Sequence, residues 1–244
     1  MSNTYDFNDQ TVIVTGAGRG IGLEVSRGFA QMGAHVYMVD LDADVVEAAA
    51  KEVGATPAAA DVTSTDDVER VVAEAVEETG RIDAVFNNAG LLRDKVLWKL
   101  SDEDWDLVVD VSLGGTFKFT RACVPHFRER GYGRVVNVTS YTGLRGNVGQ
   151  AAYAAAKAGV IGFTKTAAKE LGRFGITANV ISPNAKTRMV ESIPEEQRKE
   201  LESQIPLGRF GETTEMVDAV LFLASPAAGY ITGAVLPVDG GISI

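Results

Sequence analysis

The sequence predicts a single doubly wound α/β domain over residues 1–244, a parallel sheet of seven strands with helices on both faces. Three observations lead there. Short β-branched runs alternate with segments of helical period along the chain, as expected for strands joined by crossover helices. The first run passes directly into a glycine-rich stretch that opens a helix, the arrangement of a nucleotide-binding first turn. No repeat, low-complexity stretch or linker divides the 244 residues, and 45% hydrophobic content is enough to bury one large core.

Composition narrows the function. A formal charge of −10 argues against partners that are nucleic acids or anionic membranes. No long apolar run suggests a membrane span, and Met1–Asp9 has neither the basic start nor the apolar stretch of a secretory signal, so a cytoplasmic location is expected. Cys123, the single cysteine, cannot form an internal disulfide, and its apolar surroundings read as a buried thiol. His35 and His126 are far apart in sequence, so neither a histidine triad nor a metal site is expected.

The elements follow in order. Thr11–Thr15 is a strand, Gly16-Ala17-Gly18-Arg19-Gly20-Ile21-Gly22 a glycine turn, and a helix runs on to Met32. Glycines there let the backbone approach a ligand, and the free N–H groups and positive dipole of the helix start suit a pyrophosphate. The strand His35–Val39 ends in Asp40, where an acid can accept hydrogen bonds from the adenosine ribose and repel the extra phosphate of NADP. This predicts NAD; Arg19, able to hold a 2′-phosphate, is the counter-argument. A helix over Ala43–Val53, a weak strand over Thr56–Ala60 and a helix over Thr65–Glu78 continue the alternation. Asp61 between them either faces the adenine or caps a turn. The strand Ile82–Phe86 runs into Asn87-Asn88-Ala89-Gly90, two amides that can cross-link strand ends, or a plain turn.

Ser101–Phe127 reads as one helix opened by a capping signal. The strand Arg134–Thr139 delivers Ser140 at its carboxyl end, the edge that faces the ligand crevice in an open parallel sheet, where a hydroxyl can bond a substrate oxygen. Tyr141–Gln150 reads as a glycine-rich loop leading into a long helix that carries Tyr153 and Lys157. Four residues apart, these two stack on one helical face, so the ammonium is expected to lower a phenol pKa otherwise near about 10. Gln150, one turn earlier, either touches substrate or caps the helix. Strand Ile176–Ile181, a polar segment over 184–208 with a helix at Glu191–Ser203 read as a substrate flap, a helix at Thr213–Ala224 and strand Ala234–Val238 complete the chain.

Thr15-Gly16-Ala17-Gly18-Arg19-Gly20-Ile21-Gly22, Asn87-Asn88-Ala89-Gly90, Ser140, Tyr153-x-x-x-Lys157 and Val238-Asp239-Gly240-Gly241 together resemble the short-chain dehydrogenase/reductase family across essentially the whole chain. The resemblance implies the strand order 3-2-1-4-5-6-7. It maps catalysis to Ser140, Tyr153 and Lys157, and cofactor contacts to Gly16, Arg19, Gly20, Ile21, Gly22, Asp40, Leu41, Asp61, Val62, Asn88 and Thr187, with Tyr153 and Lys157 reaching the nicotinamide ribose. It further implies hydride transfer between a carbinol carbon and the nicotinamide, with Tyr153 moving the hydroxyl proton while Ser140 holds that oxygen.

Two departures stand out. Ser112-Leu113 replaces the family's Asn-Leu pair, so an altered proton relay through Ser112 is expected. Pro183-Asn184-Ala185 replaces Pro-Gly, a turn that Asn184 can keep by adopting positive φ. Leu92-Arg93-Asp94, Gly146-Asn147-x-Gly149-Gln150 and Pro183-Asn184-Ala185-x-Thr187-Arg188-Met189 look most like 3-oxoacyl-thioester reductases and (3R)-hydroxyacyl-CoA dehydrogenases. The implied substrate is an acyl-CoA or acyl-carrier thioester, with another secondary alcohol, a sugar alcohol or a steroid as alternatives. Arg93, Arg145 and Arg188 can meet an anionic carrier or simply be solvated. The small-residue face Ala155, Ala158, Gly159 and Gly162, with the family likeness, suggests a homotetramer. A non-catalytic nucleotide-binding protein would lack Tyr153 or Lys157, and both are present.

Overall fold

The computed structural model describes residues 5–187, 190 and 195–244. The first half comprises β1 (Thr11–Thr15), α1 (Gly20–Gln31), β2 (His35–Asp40), α2 (Ala43–Val53), β3 (Thr56–Ala59), α3 (Thr65–Thr79) and β4 (Ala84–Asn87). The second half continues with α4 (Asp102–Val109), α5 (Gly115–Arg130), β5 (Gly133–Val138), α6 (Tyr141–Arg145), α7 (Ala151–Leu171), β6 (Ile176–Pro183), α8 (Glu195–Ser203), α9 (Val217–Ala224) and β7 (Val235–Val238). All strand pairings are parallel, and the sheet order is β3-β2-β1-β4-β5-β6-β7, as expected.

Alternation along the strands explains the double winding. Val12 and Val14, Val36 and Met38, and Ala84 and Phe86 face a core shared with Phe29 of α1, Val46 of α2 and Val220 of α9. Ile13, Tyr37, Val39 and Val85 face the opposite core, against Val68 and Val71 of α3, Phe119 and Phe127 of α5 and Ala167 of α7. With both sheet faces covered, strands are apolar on both sides, which is why they read as continuous β-branched runs. The winding direction reverses once, between β3 and β4, so the connections leave the adjacent strands β1 and β4 in opposite directions and a crevice opens at their carboxyl ends.

Three expectations are corrected, and a fourth falls partly outside the described residues. The helix expected over Ser101–Phe127 is α4 and α5 joined by a π turn at Asp110–Gly114, a widened turn that leaves no local sequence signature. The stretch expected as a loop at Tyr141–Gln150 contains the short helix α6, capped by Ser140. Asn184 does not adopt positive φ; among the described residues only Asp9 does so without being glycine. Asn184 instead prolongs β6: its N–H donates to Val238 O at 3.1 Å and its carbonyl accepts from Gly211 N at 3.0 Å. The helix expected from Glu191 is described from Glu195, while Arg188 and Met189 of the quoted motif, and part of the 184–208 flap, lie outside the described residues.

Candidate active site

The nucleotide side is built largely from backbone. Ala17 N–H donates to Val39 O at 3.0 Å and Gly18 N–H to Asp40 Oδ2 at 3.0 Å, which ties the glycine turn to the end of β2. Asn88 binds across to the same turn, its Nδ2 donating to Thr15 O and Gly16 O at 3.1 Å each. The packing leaves no room for side chains: a Cβ on Gly22 would stand 2.2 Å from Gly16 O. At Gly20, with φ +60°, the space is open, and the nearest neighbour such a Cβ would meet is Thr187 Cγ2 at 4.0 Å.

Helix α1 also differs from its neighbours at its start. Asp42, Ser64 and Ser101 accept hydrogen bonds at the starts of α2, α3 and α4, and acids occupy those first turns. At α1 the N-cap Arg19 is extended, caps nothing with its side chain, and no acid follows. The free N–H groups and the positive end of the dipole therefore face an uncrowded turn, which fits a pyrophosphate. Asp40 commits one oxygen to Gly18, while the other receives only a long 3.5 Å contact from Asp42 N. Arg19 turns to Asp42 instead, at 3.6 Å. Leu41 is 73% exposed beside this turn. Asp61 proves to be a turn residue, its Oδ1 accepting from Thr63 N and Oγ1 at 2.8 Å each. Val62 is buried and packs where a Cβ of Gly115 would stand.

The catalytic side is clamped to the end of β5. Thr139 Oγ1 donates to the Lys157 carbonyl at 2.7 Å, and Lys157 Nζ donates to Val138 O at 2.9 Å, so both ends of the lysine are held by the strand that leads to Ser140. Ser140 Oγ accepts from Thr142 N at 3.2 Å, and its hydroxyl hydrogen is available to an oxygen on the side of the Tyr153 phenol. Lys157 is 2% exposed, and its Nζ lies 5.6 Å from the Tyr153 ring centroid.

The expected depression of the Tyr153 phenol is reversed in this structure. Burial pushes it up to about 12, the Ser140 hydroxyl pulls it down and Asp94 adds to the rise. Burial likewise brings Lys157 down to about 8. Desolvation disfavours charge on each group. Cys123 is fully buried with its thiol raised to about 12, a structural residue as expected.

Ser112 lies in the π turn and is fully buried, and among the described residues its Oγ has no partner. Ser112 Oγ and Lys157 Nζ each stand 3.4 Å from the point where a Cβ on Gly90 would be, so the two side chains line one space kept open by that glycine. Gln150 occupies the N-cap position of α7 but makes no capping bond. Its Oε1 accepts from Thr142 Oγ1 at 2.9 Å and Asn147 Nδ2 at 3.1 Å, and its Nε2 donates to Asp94 Oδ2 at 3.0 Å. Arg93 turns to Asp104 at 3.6 Å, and Arg145 donates to Ser243 O at 2.5 Å.

Sequence reasoning missed Thr139, Thr142 and the paired role of Asp94. Their partners lie 18, 8 and 56 residues away, beyond any local pattern. Asn87 behaves as expected of a cross-link, donating to Asn137 Oδ1 at 2.8 Å and Thr120 Oγ1 at 3.1 Å.

Residues 16–243 match the family described as Enoyl-(Acyl carrier protein) reductase. The chain is 43% identical over 238 residues to the 3-oxoacyl-[acyl-carrier-protein] reductase FabG of Thermotoga maritima, covering 95% of this chain and 97% of that protein. It is 40% identical over 242 residues to the (2S)-[(R)-hydroxy(phenyl)methyl]succinyl-CoA dehydrogenase subunit BbsD of Thauera aromatica, covering 97% of each. Among solved structures, levodione reductase superposes with a TM-score of 0.94 at 36% identity, covering 97% of this chain and 98% of that one. With these likenesses spanning nearly its full length and the Ser140, Tyr153 and Lys157 cluster beside the glycine turn, the chain belongs to the short-chain dehydrogenase/reductase family.

Proposed function

We propose that the protein is an NAD(H)-dependent oxidoreductase that interconverts a 3-oxoacyl and a 3-hydroxyacyl thioester. The observation that carries the reading is Lys157 clamped by Thr139 and Val138 at the end of β5, next to Tyr153 and just before Ser140, opposite an uncapped, glycine-lined helix start. The relatives named for 3-oxoacyl-[acyl-carrier-protein] and for a succinyl-CoA derivative support the thioester class. Asp40, with an oxygen left for a ribose hydroxyl, and Arg19, engaged with Asp42, support NAD over NADP.

Gly16, Gly20, Ile21 and Gly22 would hold the pyrophosphate, Asp40 the adenosine ribose, and Asn88, Thr187 and Lys157 the nicotinamide half. When bound, the nicotinamide supplies the hydride that forms the new C–H bond. Ser140 donates its O–H to the carbonyl oxygen and orients it. Tyr153, a protonated phenol at neutral pH, gives its proton to that oxygen as the C=O π bond breaks, leaving a hydroxyl on the substrate and a phenolate on the protein. Lys157, near 8, is the buried proton source closest to neutral pH, and the open space it shares with Ser112 is the route by which the proton is replaced.

The small-residue face divides. Gly159 is covered from within by Leu113, while Ala155, Ala158 and Gly162 face outward on α7, a surface suited to the proposed homotetramer. The likeness to levodione reductase favours a second reading, a secondary alcohol that is not a thioester. The deciding experiment is the initial rate with acetoacetyl-CoA and NADH against NADPH, beside Tyr153→Phe. Turnover preferring NADH and lost in the variant supports the proposal. Preference for NADPH overturns the Asp40 argument, and no turnover with either cofactor overturns the thioester assignment.

A further inference from the structure

The side-chain amide of Gln150 is constrained on every side but one. An amide carbonyl has two lone pairs, and both are taken, by Thr142 Oγ1 and Asn147 Nδ2. An amide nitrogen has two N–H donors, and one goes to Asp94 Oδ2. A carboxylate only accepts, so Asp94 also dictates which end of the amide is nitrogen. Among the described residues the second N–H has no partner.

Asp94 is delivered to this point by main chain. Lys95 N–H donates to Gly149 O at 2.8 Å, and Lys95 pairs with Gln150 in an isolated parallel bridge. Its flanking cations turn elsewhere: Lys95 Nζ reaches Asp104 at 2.5 Å and Arg93 reaches the same carboxylate at 3.6 Å, which leaves Asp94 to Gln150. The cluster adjoins the reacting centre. Thr142 donates through its side chain to Gln150 and through its N–H to Ser140 Oγ, Gln150 stands three residues before Tyr153, and the charge of Asp94 acts on the Tyr153 phenol.

We infer that Asp94 is a positioning residue that locks Gln150 with one N–H turned toward the substrate, as donor to a carbonyl oxygen two carbons from the reacting one. Resting on the thioester reading, that acceptor is the thioester carbonyl of a 3-oxoacyl substrate. Without Asp94 only Thr142 and Asn147 hold the amide, and since a hydroxyl and a side-chain amide can each turn to accept instead of donate, nothing then prevents it from presenting its oxygen, an end that repels a carbonyl acceptor. The contact lies away from the bond being made, so it strengthens ground state and transition state alike and acts on KM rather than kcat.

The test is steady-state reduction of acetoacetyl-CoA by the whole protein. Asp94 is exposed, so its replacement leaves the core intact. Asp94→Ala is expected to raise KM about tenfold with kcat changed less than about threefold. Asp94→Asn, which keeps an accepting oxygen, is expected to bring KM back to within about threefold of wild type. Asp94→Ala added to Gln150→Ala is expected to cost nothing further, because both remove one interaction. An unchanged KM in Asp94→Ala, an Asn variant as poor as the Ala variant, or additive effects in the double variant overturns the inference alone. Absence of wild-type turnover overturns the thioester reading and this inference together.

Discussion

The two walls of the crevice are held in different ways. The wall formed by the glycine turn, Asp40 and Asn88 is anchored on main-chain groups of the turn: Ala17 N–H to Val39 O, Gly18 N–H to the Asp40 carboxylate, and the Asn88 amide to Thr15 O and Gly16 O. There an added methyl at Gly22 meets carbonyl oxygen at 2.2 Å, so residue identity is dictated by contact. The wall formed by Asp94, Asn147 and Gln150 is held by exposed or half-exposed side chains, with Val148 at 88% exposure beside them. Side-chain contacts at a wet surface tolerate exchange, whereas backbone contacts without room for a Cβ do not. The difference explains why a cofactor class can be read from the chain more readily than a substrate.

The largest expected effect lies where the walls meet. Tyr153→Phe is expected to lower kcat by about 10²–10⁴-fold, with NADH affinity by fluorescence titration changed little. A variant that keeps its rate would remove the phenol from the reaction. Next comes the backbone wall itself. Gly22→Ala, which also brings a methyl within 2.8 Å of Asn88 Nδ2, is expected to cost about 1–3 kcal/mol in chemical denaturation and to weaken nucleotide binding at least about tenfold. Val148→Ala on the opposite wall is expected to change stability by less than about 0.5 kcal/mol. Equal damage from both would break the comparison.

Asp40→Ala sharpens it at a single side chain. Removing the acceptor is expected to lower kcat/KM with NADH by about tenfold and to narrow discrimination against NADPH; unchanged cofactor ratios would move the specificity elsewhere. Lys157 separates stability from chemistry. Lys157 is fully buried with its pKa lowered from 10.5 to about 8, so the folded state resists its proton. Lys157→Met is expected to abolish turnover yet raise Tm at pH 7 by about 3–6 °C, on the order of 1–2 kcal/mol after the lost bond to Val138 O. The sign follows from proton uptake. Between pH 8 and 10.5 the unfolded chain binds the proton and the folded chain does not, so wild-type stability rises with pH there. The advantage of the Met variant is therefore full below 8 and gone above 10.5, which thermal scans across that range would check.

Local chemistry carried much of the architecture. The continuous apolar runs of β1 and β2, the helical period after each, and glycines at a strand-to-helix turn are patterns set by neighbours in sequence; they pointed to the fold class, and the family likeness to the strand order. Tyr153 and Lys157 share a face because they lie four apart on α7. What folding alone decided depends on groups distant in the chain and on the loss of water around them. The clamp of Thr139 and Val138 on Lys157 spans 18 and 19 residues, and the bond from Gln150 to Asp94 spans 56. Burial reversed the expected fall of the Tyr153 phenol, since desolvation is a property of the packed interior and not of a helical spacing. Pairing with β7 and Gly211 held Asn184 extended where its own preferences allowed a turn. The sequence specifies which residues can do the chemistry; their charge states and partners are settled by a three-dimensional environment that no short stretch of chain contains.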